Sequence, residues 1–183
     1  KDMLKIGIIT GATREARGSP QVAEWILSHQ DKTSMALEIV DIKDYDLPFM
    51  GTADAPGIAQ FKDKIASLDG FIFVTGEYNH SIPAPLKNAL DLLRDEWANK
   101  AAGIVSYGSL GGARAAEPLR GILGEIRIAD VRSHTALSMF TDFENWSVCK
   151  PADLHLANLT AMFGQLEAWS TALKTVREAQ KDA

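Results

Sequence analysis

Five short apolar runs, each closed by a turn residue and each followed by a helical pattern, limit what this chain can become. Residues 4–10 (LKIGIIT), 37–42 (LEIVDI), 71–75 (FIFVT), 102–107 (AGIVSY) and about 128–133 lack the alternation of a half-exposed strand. They read as strands covered on both faces. Between them apolar residues recur at helical spacing. Ser19 and Pro20 read as an N-cap and a first turn, leading through Val22, Trp25 and Ile26 to about His29. Ile58, Phe61, Ile65 and Leu68 mark a second helix, Leu86, Leu90, Leu93 and Trp97 a third, and Leu119, Ile122, Leu123 and Ile126 a fourth. Leu159, Met162, Phe163, Leu166, Trp169, Leu173 and Val176 form one long stripe, the mark of a fifth. Strands alternating with helices imply an α/β fold: a mostly parallel sheet, covered on both sides, with right-handed crossovers.

The 183 residues contain no repeat and no Pro/Gly/Ser linker, so one domain over residues 1–183 is expected. A formal charge of −5 with scattered Lys and Arg argues against nucleic-acid binding. No apolar run approaches the roughly 18 residues that span a bilayer, and the N-terminus lacks a signal-peptide pattern, so no membrane insertion and a cytoplasmic location are expected. The one cysteine, Cys149, excludes an internal disulfide framework and a cysteine-built metal site. No metal site is expected.

Ligands of such sheets bind at the carboxyl ends of strands, where strand order reverses. That directs attention to three loops, 11–19, 76–83 and 108–114. The first, TGATREARGSP, brings hydroxyls, Arg14, Arg17 and a helix N-terminus together, a setting that favours a phosphate. It has neither a Gly-Lys-Ser/Thr phosphate loop nor the spaced glycines of a dinucleotide fingerprint, so a monophosphate fits better than ATP or NAD. The plainer alternative is that Ser19 caps its helix and the arginines are solvated. In the second loop, GEYNHSIPAP, Pro83 and Pro85 stiffen the backbone and Tyr78 offers an aromatic wall. His80 has no nucleophile setting around it and reads equally as a polar loop residue, and Glu77 as a surface carboxylate. In the third, SYGSLGGARAAEPLR, Gly108, Gly111 and Gly112 admit a ligand close to the backbone beside a helix N-terminus, or simply make a tight turn. No side chain stands out as a catalytic acid or base.

Together these stretches resemble the NADPH-dependent FMN reductase family, a flavodoxin-like group of quinone, chromate and azo-dye reductases. Glu77-Tyr78-Asn79-His80-Ser81-Ile82-Pro83-Ala84 followed by Leu86-Lys87-Asn88-Ala89-Leu90-Asp91 carries most of the similarity, with Gly11-Ala12-Thr13-Arg14, residues 41–48 (DIKDYDLP) and the segment from Ser106 to Ala115. Ala12 departs from the family's serine, leaving Thr10 or Thr13 to supply a hydroxyl, and Gly76 departs from its proline. The resemblance implies a flavodoxin-like three-layer sandwich with a five-stranded parallel sheet in the order 2-1-3-4-5. It also implies FMN as cofactor and NADPH or NADH as co-substrate. Hydride transfer would be ping-pong, through flavin N5 to quinone, azo, flavin or similar small-molecule acceptors. Arg14, Arg17 and Ser19 would hold the phosphate. Glu77, Tyr78, Asn79, His80 and Ser81 would lie along the isoalloxazine, with Tyr107, Gly108, Gly111 and Gly112 at its pyrimidine end. A homodimer or homotetramer is implied too, for which the fifth helix and the stretch around Trp146 offer apolar surface. They read equally as a core helix and a surface loop. The competing readings are a flavodoxin-type carrier without its own NAD(P)H oxidase activity and, last, a response-regulator-like switch, which needs aspartates where these strands end in threonine.

Overall fold

A computed structural model describes residues 3–181. Its order is β1 (Lys5–Thr10), α1 (Ser19–Leu27), β2 (Ala36–Asp41), α2 (Pro56–Ala66), β3 (Gly70–Gly76), α3 (Ala84–Leu92), β4 (Lys100–Gly108), α4 (Ala113–Glu125), β5 (Ile128–Ser138), β6 (Phe143–Glu144), β7 (Val148–Cys149) and α5 (Leu154–Lys181). The first five strands form one parallel sheet in the order β2-β1-β3-β4-β5. All seven residues of β3 are buried, as its unbroken FIFVT run predicts. One core packs Ile9, Phe61, Phe73, Leu86 and Leu119 on one face of the sheet, and a second packs Ile8, Val22, Ile72, Val105 and Met162 on the other. This is the flavodoxin-like three-layer arrangement.

Three expectations need correction, and one element was unforeseen. Helix α3 stops at Leu92, and Leu93 turns to an extended backbone, so Leu93 and Trp97 are not its continuation. Trp97 is fully buried instead in an aromatic cluster, 5.0 Å from the Phe71 ring and 6.0 Å from those of Phe61 and Phe73. A core residue can imitate helical spacing while lying beyond the helix. Strand β5 runs to Ser138, past the stretch 128–133, because a bulge interrupts its pairing between Ala102↔Asp130 and Ile104↔His134. Arg120 steadies that bulge, donating to Asp130 and to the Val131 carbonyl at 3.1 Å. Gln165 accepts from the Ser133 amide at 2.9 Å on the other side. Ser19 does not cap α1; Gly18 occupies the cap position and no side chain bonds there. The hairpin β6–β7 had no signal in the periodicity, its strands being two residues each.

The stripe of α5 divides in two. Leu159, Met162, Phe163 and Leu166 are buried against the sheet, whereas Trp169 and Val176 are 46% and 42% exposed. Its first half therefore belongs to the core.

Trp97 is fully buried against the rings of Phe61, Phe71 and Phe73, so truncating it would leave a cavity. Trp97→Ala should lower unfolding free energy by about 3–5 kcal/mol, read from the urea midpoint, while Trp97→Phe should recover much of the loss.

Candidate functional site

The register of β3 on β4, with Thr75↔Ser106 and Gly76↔Tyr107 paired, makes the second and third loops leave the sheet side by side. β1 lies on the other side of β3, and the Gly11 amide donates to the Val74 carbonyl at 2.9 Å. All three loops thus share one rim. They enclose a cavity of about 640 Å³, lined by Arg14, Arg17, Glu77, Tyr78, Tyr107 and Gly108 among others, within the roughly 300–1,000 Å³ typical of small-molecule sites.

Tyr107 joins these walls. Its side chain is buried at the end of β4, and its ring lies against Gly18 and Gly76: a Cβ on either glycine would come within 3.1 Å of it. The Phe143 ring packs 5.9 Å away. A side chain at position 76 would therefore crowd the Tyr107 ring. Burial pushes the Tyr107 phenol up to about 12 against the opposing pull of Ser19 and Arg14, so it is neutral and remains a hydrogen-bonding group.

The first loop is held by its own charges. Arg17 pairs with Asp41 at 2.6 Å, and Thr10 donates to the same carboxylate at 2.8 Å. Arg14 donates from Nε to the Tyr78 hydroxyl at 2.9 Å, with its guanidinium 5.9 Å from the Tyr78 ring centre, which ties the first loop to the second. Two buried polar atoms here, Ser19 Oγ and Arg17 Nε, have no hydrogen-bond partner among the described residues. Buried polar groups are seldom left so, and the first-turn amides of α1 add unpaired donors beside them.

In the second loop Tyr78 and Ser81 exchange backbone hydrogen bonds of 2.9 and 3.2 Å, and the turn they close holds Asn79 and His80 at φ of +50° and +69°. That turn exposes Asn79 and His80 outside the cavity wall. Glu77 is buried and bonded through one oxygen to Arg114. Gly111 and Gly112 take φ of +68° and +74°, and Gly112 lies so near Ser106 and the Tyr107 backbone that a Cβ would clash at 2.7–2.9 Å. Ser106 fixes this turn, donating to the Gly111 carbonyl at 2.5 Å, and His134 Nε2 lies 2.7 Å from the same hydroxyl. Burial first, then the Arg120 charge, hold His134 below the ordinary histidine range.

Of the residues singled out from sequence, Arg14, Arg17, Glu77, Tyr78, Tyr107 and Gly108 line the cavity directly. Thr10 and Ser19 stand behind the first loop, and Gly111 and Gly112 behind the third. Thr13 lines a smaller neighbouring cavity of about 240 Å³ with Tyr45 and Pro85. Sequence reasoning missed Asp41, which positions Arg17, and a fourth wall made by Gln21, Met139, Phe143, Trp146 and Ser147. The sequence contains no local sign that Gln21 clasps the hairpin, donating to the Ser147 carbonyl at 2.8 Å and accepting from the Cys149 amide at 2.9 Å, because those partners are over a hundred positions away.

Asp142 anchors that fourth wall. Its carboxylate accepts from the amides of Ser138 and Ala152 at 2.8 and 2.9 Å and contacts His155 Nε2 at 3.0 Å. Burial alone would raise its pKa, but these amides and His155 outweigh it and hold the carboxyl below its ordinary value. Burial, with Asp142 nearby, pushes the Cys149 thiol up to about 12, so it stays protonated and unreactive near neutrality.

The arrangement suits a flat, phosphate-bearing ligand: donors at one end, aromatic walls beside it, close-approaching backbone at the other. The sequence model of the family described as NADPH-dependent FMN reductase matches residues 4–142. An NAD(P)H-dependent FMN reductase of Schizosaccharomyces pombe is 35% identical over 178 residues, covering 88% of each chain. One from Saccharomyces cerevisiae is 32% identical over 145 residues, covering 68% of this chain and 76% of the other. Among solved structures, FerB, a flavoenzyme NAD(P)H:(acceptor) oxidoreductase from Paracoccus denitrificans, superposes with a TM-score of 0.73 at 20% identity, covering 94% and 98% of the two chains. That likeness extends the agreement in fold.

Because its pKa is lowered by folding, Asp142 stabilises the protein above the ordinary carboxylate value near 3.9, and this contribution is lost as pH falls through its lower folded value. Asp142→Asn should cost about 1.5–3 kcal/mol at pH 7, and the gap to the parent protein in urea unfolding should narrow towards pH 3.

Proposed function

The chain belongs to the NADPH-dependent FMN reductase family, and on that premise we propose that the cavity beside Tyr107 is where it holds FMN. It is an oxidoreductase that spends NADPH or NADH on small acceptors such as quinones, azo compounds and flavins. The observation that carries the site assignment is the unsatisfied polar cluster at the start of α1. Ser19 Oγ and Arg17 Nε are buried without a well-formed hydrogen bond, in a loop that also has free helix amides and the exposed Arg14, a setting that suits a phosphate.

FMN supplies the hydride chemistry when bound; the chain's residues bind, orient and shield. Arg17, clamped by Asp41, contributes positive field to the phosphate pocket, and Tyr78 holds Arg14 at its mouth. Glu77 and Tyr78 offer a backbone edge to the ring, and the Tyr78–Ser81 turn beyond them, with Asn79 and His80 at its tip, holds that edge in place. Gly108 lets the backbone approach, and the Gly111–Gly112 turn, fixed by Ser106, aims the start of α4 towards the pyrimidine end. Oriented amides there favour negative charge on the ring, and so favour its reduced form. No titrating side chain is required.

The proposal extends to one flavodoxin-like domain over residues 1–183, a cytoplasmic location, and a homodimer or homotetramer. No helix among the described residues is long and apolar enough to cross a membrane. Phe49, Met50 and Leu110 are 66%, 62% and 61% exposed and offer contact surface to a second copy.

Purified protein should be yellow, should be bleached by NADPH without oxygen, and should regain colour with menadione. Failure to take up added FMN would exclude the site assignment, and flavin reducible only by a partner protein would mark a carrier. Arg14→Ala should raise the FMN Kd about tenfold, one charge-assisted hydrogen bond's worth, with an unchanged far-UV spectrum; an unaltered Kd would make Arg14 a mere surface charge.

A further inference from the structure

We propose that Trp146, on the hairpin β6–β7, is the specificity-determining residue for the electron acceptor, seating flat aromatic or quinonoid rings over the site. This rests on the reading of the cavity as the FMN site.

The hairpin 143–149 contributes Phe143, Trp146 and Ser147 to the cavity, facing the walls made by the three sheet-edge loops.

Trp146 gains little for folding where it stands. It is 57% exposed, and its partner Phe140 is 65% exposed, the two rings meeting edge to face at 4.7 Å. Its backbone has φ +59°, next to Asn145 at +50°, in a turn closed by the Ser147 amide on the Glu144 carbonyl at 3.1 Å. Asn tolerates such a conformation; for a bulky residue it is an outlier that costs on the order of 1 kcal/mol. Neither burial nor backbone preference accounts for a tryptophan at this position. Contact with a ligand in the adjoining cavity accounts for it, as would contact with a second copy of the chain.

The wall is also fixed. Gln21 clasps both sides of the hairpin, the Lys150 amide donates to the Asp142 carbonyl at 2.7 Å, and the Asp142 carboxylate ties the segment to the start of α5. An indole presented rigidly beside an open cavity offers a stacking face at low entropic cost. A planar quinone uses that face, whereas a compact inorganic oxidant such as ferricyanide does not.

The test uses the full-length, FMN-loaded protein and Trp146→Gly, which relaxes the backbone at φ +59° and so should fold at least as well. With NADPH as donor, kcat/KM is measured for menadione and for ferricyanide, together with the FMN Kd and the sedimentation coefficient. The menadione-to-ferricyanide ratio should fall roughly tenfold, the size one ring stack supplies, through menadione KM. Trp146→Phe should restore most of it. An unchanged ratio overturns the proposal. So does a parallel loss of FMN affinity, which would make Trp146 part of the cofactor's own wall, or a fall in oligomer size, which would make it a subunit contact. A parent protein that takes up no FMN overturns the underlying site assignment instead, and this inference with it.

Discussion

The ring of Tyr107 lies where the loops at the carboxyl edge of the sheet meet. It comes from the end of β4, rests on Gly18 of the first loop and Gly76 of the second, and packs on Phe143 of the hairpin. A Cβ on either glycine would press on the ring at 3.1 Å, a contact tight enough that the ring would have to shift. The contact exists only because the parallel register sets Gly76 directly opposite Tyr107. Side-chain volume at one residue, and its absence at two others, therefore fix how the cavity walls stand relative to one another.

Around that ring the polar groups fall into two kinds. Some are satisfied within the chain and serve to hold shape: Asp41 with Arg17 and Thr10, Ser106 with the Gly111 carbonyl, Asp142 with the amides of Ser138 and Ala152. Others, Ser19 Oγ and Arg17 Nε, are buried without partners. Glu77 Oε2, on the same cavity, is open too, as are Trp97 Nε1, Thr135 Oγ1 and Ser170 Oγ elsewhere in the fold. That division suits a protein whose cofactor performs the chemistry and whose own work is placement.

The sequence disclosed the sheet well because strands buried on both faces write their burial as continuous apolar runs, and β1, β3 and β4 fell within two residues of expectation. It misled where a residue's environment comes from elsewhere. Trp97 kept helical spacing with Leu86, Leu90 and Leu93 but packs on Phe61, Phe71 and Phe73, from α2 and β3. Ser19 has the local look of a cap, yet Gly18 takes the cap position and leaves the hydroxyl buried. The far half of β5 was lost because the bulge, held by Arg120 and Gln165, breaks a pattern that depends on regular register.

What the sequence determined by itself was local and periodic: the strand–helix alternation, hence the parallel sheet, and the three loop motifs, hence the family and its flavin. The residue types of the loops are compatible with a phosphate, and it was the resemblance of the motifs that supplied the flavin. Tertiary structure decided the rest. Only folding could bring Gln21 to Cys149, Arg17 to Asp41 and the hairpin of Trp146 to the cavity. Those contacts join residues far apart along the chain, so their energies depend on how layers pack and leave no periodic trace in the order of residues.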